Sequence, residues 1–146
     1  MIDEPVSAFG GEGYSGTPLE LKLGIRPGVR GAVSDAPAGF LEWLDRVTEP
    51  EAFGRGLRRR ELDLVLAFAT SKSRLHERVL AARTRSVQAG AIWCCWPKRA
   101  SKVPTDITED RVRELAFANQ LVDVKVCAIS PVWSGLKLVI RRGDRH

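Results

Sequence analysis

From Gly90 to Pro97 the chain reads Gly-Ala-Ile-Trp-Cys-Cys-Trp-Pro, with no charged or amide side chain. An apolar run of this length, without polar alternation, predicts a strand buried on both faces, opened by a glycine turn at Ala89-Gly90. Leu62 to Ala69, interrupted only by Asp63, predicts a central strand in the same way. Between the two runs the spacing becomes helical. Leu75, Val79, Leu80 and Val87 fall on one face, and Ser71 or Ser73 can cap the helix that carries them to about Val87. Phe40, Leu41, Trp43, Leu44 and Val47 predict another helix from Gly39 to Val47, ended by Thr48-Glu-Pro50. A short strand from Arg30 to Ser34 precedes it. Earlier still, Thr17 as cap, Pro18 as first helical residue and Gly24 as stop enclose a short helix with Leu19 and Leu23 on one face.

Past Pro97 the chain turns polar, and Asp106-Ile-Thr-Glu109 has the spacing of a capping box for a helix carrying Val112, Leu115, Ala116 and Asn119. Two strand-like runs close the chain, Val122 to Ile129 and Val132 to Ile140, joined only by Ser130-Pro131. Parallel neighbours need a crossover of a dozen or more residues, so these two pair antiparallel if they pair directly. Glu51 to Glu61 sets Phe53 and Leu57 among two glycines and four arginines, and a short edge strand or a loop both suit it. The alternation predicts an α/β three-layer sandwich, Rossmann-like, with a mostly parallel sheet and a C-terminal antiparallel hairpin. Residues 1–13 are expected as a flexible arm, 14–142 as a single domain and 143–146 as a frayed tail.

Composition narrows the chemistry. A chain of 146 residues, 44% hydrophobic, can bury one sizeable core. Its net charge of +5 and pI near 9.5 favour anionic partners without making a dense basic stripe. Arg58-Arg59-Arg60 has no interleaved aromatics and reads as a solvated turn, so nucleic acid is not an expected partner. Cys94 and Cys95 point to opposite faces of a strand and cannot bond to each other. With Cys127 they read as reduced core residues of a cytoplasmic protein. His76 lies among charged helix positions, and with His146 and three scattered cysteines it offers no metal-ligand spacing. No run approaches the roughly 18 apolar residues that span a bilayer, and the start lacks a secretory pattern.

The order of elements, a helix before the first strand, then Leu62-Asp-Leu-Val-Leu66, then Ala89-Gly90 opening a strand that ends at Pro97, then helix and hairpin, resembles a class I S-adenosylmethionine-dependent methyltransferase fold shortened in its middle. More closely, the chain resembles the bacterial domain-of-unknown-function family 3052. The segments are Gly13-Tyr-Ser-Gly-Thr-Pro-Leu19 with Lys22-Leu-Gly24, Ala36-Pro37 with Gly39, Trp96-Pro-Lys98 through Thr108-Glu-Asp110, and Leu121 to Ala128 with Val132-Trp-Ser-Gly-Leu-Lys137. That resemblance implies a fold and recurring residues, and no activity.

Cofactor binding in the methyltransferase fold uses a glycine-rich loop after the first strand and an acid on the second. Here the loop is Asp35-Ala-Pro-Ala-Gly39, with one glycine and a proline lacking an amide donor, and only Glu61 or Asp63 could be guessed as the acid. No cofactor is therefore expected and no catalytic residue is assigned. What the fold would gather at its rim is Trp96, Lys98, Ser101, Thr105 and Asp106 after the long apolar strand, Trp133, Ser134 and Lys137 from the hairpin, and Tyr14 and Ser15 from the N-terminal turn. Lysines, hydroxyls and indole faces suit a small anion or a nucleotide-like ligand. The plain alternative is core packing, a helix cap and solvated lysines. The expectation is a cytoplasmic, non-catalytic module for a small anionic ligand or a protein partner, with a methyltransferase-like enzyme as the alternative.

Overall fold

A computed structural model describes residues 4–10 and 16–146. Among these residues six strands form one sheet: β1 (Gly31–Ser34), β2 (Phe53–Arg55), β3 (Leu62–Phe68), β4 (Ser86–Pro97), β5 (Leu121–Ala128) and β6 (Trp133–Ile140), in the order β2-β1-β3-β4-β6-β5. The first four run parallel. β6 is antiparallel to β4 and to β5, so the short Ser130-Pro131 link does make a hairpin. Four α-helices of the described residues cover the sheet: α1 (Leu19–Leu23), α2 (Ala38–Val47), α3 (Lys72–Arg85) and α4 (Glu109–Ala118).

The two faces have separate cores. On one, α3 and α4 bring Leu75, Val79, Val112 and Leu115 onto Val65, Ile92, Cys94 and Leu136. On the other, α1 and α2 bring Leu19, Leu23, Phe40 and Trp43 onto Leu66, Phe68, Trp93 and Cys95. Cys94 and Cys95 thus enter different cores, as strand alternation requires. Trp93 Nε1 donates to the carbonyl of Leu23 at 2.9 Å, fastening α1 to the central strand. The segment 51–61 contributes β2, a three-residue parallel edge strand, followed by a loop into β3. β2 lies so close to β1 that a Cβ at Gly31 would collide with the Phe53 ring.

Several local expectations are corrected. Pro18, extended at ψ 146°, is the N-cap of α1 and carries no side-chain cap bond, so the helix begins at Leu19; Gly24, at φ 86°, does stop it. α3 ends at Arg85 and the chain passes directly into β4, leaving Val87 in the strand. Leu75, Val79 and Ala82 form the buried stripe, whereas Leu80 lies round the helix and is 47% exposed. Gly90 is no turn; it sits inside β4 where the pairing with β3 shifts, close against the Leu62 carbonyl. Ser71 is the residue that caps α3, its Oγ accepting from Arg74 N at 3.3 Å. The cap of α4 is Thr108, whose Oγ1 accepts from Arg111 N at 3.2 Å, in place of Asp106.

The ends also differ from expectation. Within the anticipated arm, Glu4 and Phe9 are buried and Val6–Ala8 forms a 3-10 turn packed on α2. Phe9 meets the Phe40 ring edge-on at 5.5 Å, which gives this stretch an apolar anchor. At the other end Arg142–Asp144 forms a 3-10 turn, and Arg145 Nε donates to the Ile140 carbonyl at 3.0 Å. No helix among the described residues is long and apolar enough to cross a membrane.

Candidate functional site

The carboxyl ends of β1, β3 and β4 share one rim, and there the residues expected from sequence divide among different surroundings. Trp96, Lys98, Thr105 and Ser134 line a cleft of about 510 Å3 beside β4, together with Arg99 and Lys102. Ser101 and Thr105 spend their hydroxyls on backbone carbonyls: Ser101 Oγ donates to the Lys98 carbonyl within its own loop at 2.6 Å, and Thr105 Oγ1 to the Thr70 carbonyl in the loop after β3 at 2.6 Å. Asp106 is likewise engaged, its Oδ1 accepting from Lys72 N at 2.7 Å at the start of α3. Lys137 is not at this rim. It pairs with Trp93 across the β4–β6 ladder, four residues from Trp133, about 13 Å along the strand. Its hollow is lined by Leu21, Asp63 and Ala89 instead. Tyr14 and Ser15 lie outside the described residues.

Trp133 belongs to a second hollow, of about 360 Å3, which sequence reasoning did not assemble. Asp35, Pro37, Phe68, Ala69, Thr70, Arg74 and Trp133 line it. β1 and β3 diverge here: from β1 the chain crosses outward to β2, and from β3 it crosses the other way to β4. Ligands of open α/β sheets bind at such a switch point. Asp35 follows β1 in a left-handed turn at φ 56°, a conformation Asp tolerates better than most residues. Arg74 and Arg78, one turn apart on α3, converge on its carboxylate at 3.1 Å and 3.2 Å. The hydrogen bond from Arg74 holds the Asp35 carboxyl below its ordinary range, against partial burial. Phe68 and Trp133 stack edge-to-face at 5.0 Å on the opposite wall. Among the described residues the buried Trp133 Nε1 has no hydrogen-bond partner, an uncommon condition for an indole donor. One sequence signal did exist for this hollow: an acid directly after a strand, with two arginines at i and i+4 on a following helix.

Residues 4–10 reach the same rim. A Cβ at Gly39, in the first turn of α2, would collide with the Glu4 carbonyl oxygen. The buried Glu4 side chain accepts from Ser130 Oγ at 2.7 Å, at the turn between β5 and β6. At the end of β2 stands Arg55, paired with Asp45 at 2.7 Å. A larger hollow, about 570 Å3, lies at the amino ends of the strands among Arg26, Pro27, Val47 and Phe53, away from the switch point. No group of three metal-ligating side chains occurs among the described residues.

No family model and no curated protein matches the sequence. Solved structures do match the fold. A putative type 11 methyltransferase from Sulfolobus solfataricus superposes with a TM-score of 0.58 at 13% identity, over 88% of this chain and 92% of its own. A ribosomal protein L11 methylase from Lactobacillus delbrueckii subsp. bulgaricus gives 0.55 at 10% identity, over 86% and 74%. Magnesium protoporphyrin IX methyltransferase from Synechocystis PCC 6803 with bound SAH gives 0.52 at 10% identity, over 77% and 74%. Others are much longer: this chain spans 39% of LepI, solved in complex with SAM, at a TM-score of 0.51. These likenesses establish a shortened Rossmann-like methyltransferase fold. They also correct the expectation of a non-catalytic binding or interaction module, since the Sulfolobus, Lactobacillus and Synechocystis structures that share the fold carry methyltransferase or methylase names.

Proposed function

We propose that this chain is a methyltransferase-class enzyme that takes S-adenosylmethionine at the carboxyl edge of β1 and β3, beside Asp35, Phe68 and Trp133. The position of that hollow carries the reading: it opens at the switch point of a sheet with the methyltransferase order, where this architecture binds its ligands. The Phe68–Trp133 pair gives the hollow one apolar wall, and Arg74 with Asp35 offers both donors and an acceptor. When bound, the cofactor would supply an activated methyl group.

In the conformation described, the residues do not form the usual cradle. Glu4 covers Gly39, Pro37 has no amide to offer, and Arg55 stands at the end of β2 where a ribose hydroxyl would meet a carboxylate. No step of methyl transfer is assigned to a residue on that account. The reading is tested by calorimetric titration with S-adenosylhomocysteine. Saturable binding with Kd below about 1 mM is expected, weakened about tenfold in Arg74→Ala. A flat titration in the native chain and in Glu4→Ala, which frees the segment over Gly39, overturns it.

The run Trp96-Pro-Lys98, with Gly13 to Leu19 and Val132 to Lys137, supports grouping the chain with the domain-of-unknown-function family 3052. Three buried, unpaired cysteines support a reducing, cytoplasmic setting.

A further inference from the structure

We propose that the hollow between α1 and the β5–β6 hairpin binds a small phosphorylated solute carrying two or more negative charges. It is a second site, about 340 Å3 in volume, on the face of the sheet that α1 and α2 cover, and it is independent of the ligand at the switch point. Lys22, Arg26, Lys125 and Lys137 line it, against a single lining carboxylate, Asp63. Asp63 Oδ2 already accepts from the Arg30 amide at 2.9 Å. Among the described residues no carboxylate forms an ion pair with any of the four cations.

The register of the hairpin brings these charges together. Lys125 and Lys137 are direct partners across the β5–β6 ladder, where opposed side chains stand about 5 Å apart at Cβ and like charges are destabilising. A bulge at Val124 makes that pairing: Asp123 opposes Leu138, and the next ladder pair is Lys125 with Lys137. Regular alternation would leave Val124 opposite Lys137 and put Asp123 and Lys125 on one face. The extra residue splits them. Asp123 stays on the α4 side, where Arg113 Nε reaches its Oδ2 at 3.2 Å, and Lys125 turns to the α1 side, where its Nζ donates to the Lys22 carbonyl at 3.3 Å. Burial raises the Cys127 thiol on this face, and the charges of Lys22, Lys125 and Lys98 offset part of that rise, as an electropositive surface must. Unpaired cations held opposite one another cost the free chain stability, and an anion that bridges them recovers it. Ammonium groups, compact charges with three donors each, suit phosphate oxygens, and the volume lies at the small end of the range for ligand pockets.

Calorimetric titration of the full chain with inorganic pyrophosphate, at about 0.1 M salt to screen distant charges, tests the site. Saturable binding with Kd below about 1 mM is expected, weakened about tenfold in Lys125→Ala and in Lys137→Ala. Arg58→Ala removes the same charge from an exposed position beyond β2 and should leave Kd within about twofold of native. Thermal melting gives a second readout. Without pyrophosphate, Lys125→Gln relieves the like-charge opposition and should melt no lower than the native chain; with pyrophosphate, the native chain should gain and the variant should not. A flat titration of the native chain overturns the site. So does equal weakening by Arg58→Ala and the lysine variants, or an equal thermal gain in Lys125→Gln, because either would assign the binding to net charge alone. S-adenosylhomocysteine carries no phosphate, so failure of this site leaves the reading at the switch point untouched, and failure of that reading leaves this one untouched.

Discussion

The carboxylate of Asp106 reaches 2.7 Å to the backbone amide of Lys72, so it closes the first turn of α3 from a loop that leads into α4. An amide at a helix start has no partner within the helix, and an oxygen supplied from elsewhere in the chain serves as well as a local cap. Asp106→Ala is expected to cost about 1 kcal/mol in chemical denaturation, while Asp106→Asn, still an acceptor, stays close to native. Equal loss in both variants would locate the effect in the negative charge at the helix start. Thr108 already caps α4 through Oγ1, so the loss should appear in the exchange of α3 amides and leave those of α4 unchanged.

Among elements, β4 is the one on which both cores are built. Its residues from Gly90 to Pro97 are buried, with Cys94 in the core beneath α3 and α4 and Cys95 in the core beneath α1 and α2. Burial pushes the Cys94 thiol up to about 12, and burial followed by the neighbouring Cys94 and Cys127 pushes Cys95 well above its ordinary value. A thiol reagent at neutral pH should therefore modify these two only at the rate of unfolding, and rapid modification of both in the native chain would contradict the burial of β4. The same shift has a consequence for alkaline stability. The unfolded thiols ionise from about the ordinary value of 9.0, whereas the folded ones stay neutral, so the unfolded state gains as pH rises above that value.

For the molecule as a whole, Asp35 ties the end of β1 to α3 across the switch point through Arg74 and Arg78. Its folded carboxyl lies below the ordinary 3.8, so the stabilisation is fully present above that value and is lost as pH falls through the lower, folded one. Arg74→Ala should narrow the gap. The stability difference between native and variant chains, measured by thermal melting, is expected to be constant near neutrality and to shrink below about pH 4. A difference that persists unchanged into strong acid would show that Arg74 acts through packing alone. The exposed side chains keep the effect modest, because water screens both partners.

What the sequence by itself determined is local. Continuous apolar runs marked β3 and β4, helical spacing marked α2, α3 and α4, and a two-residue link forced β5 and β6 into a hairpin, since no crossover could be drawn through Ser130-Pro131. Periodicity and chain length act on neighbours, and those are visible in one dimension. Tertiary structure alone decided the partners. Asp106 meets Lys72 across 34 residues and Glu4 meets Ser130 across 126, and neither spacing leaves a pattern in the chain. The same holds for the site. Trp96, Lys98, Thr105 and Ser134 were legible as rim residues because they lie at a strand end, in the loop that leaves it, or on its ladder partner. Lys137 was not separable from them until the β4–β6 register placed it opposite Trp93, in the middle of the strand, and Asp35, Phe68 and Arg74 became neighbours of Trp133 only when the parallel crossovers and the closing hairpin brought the ends of β1, β3 and β6 to one edge.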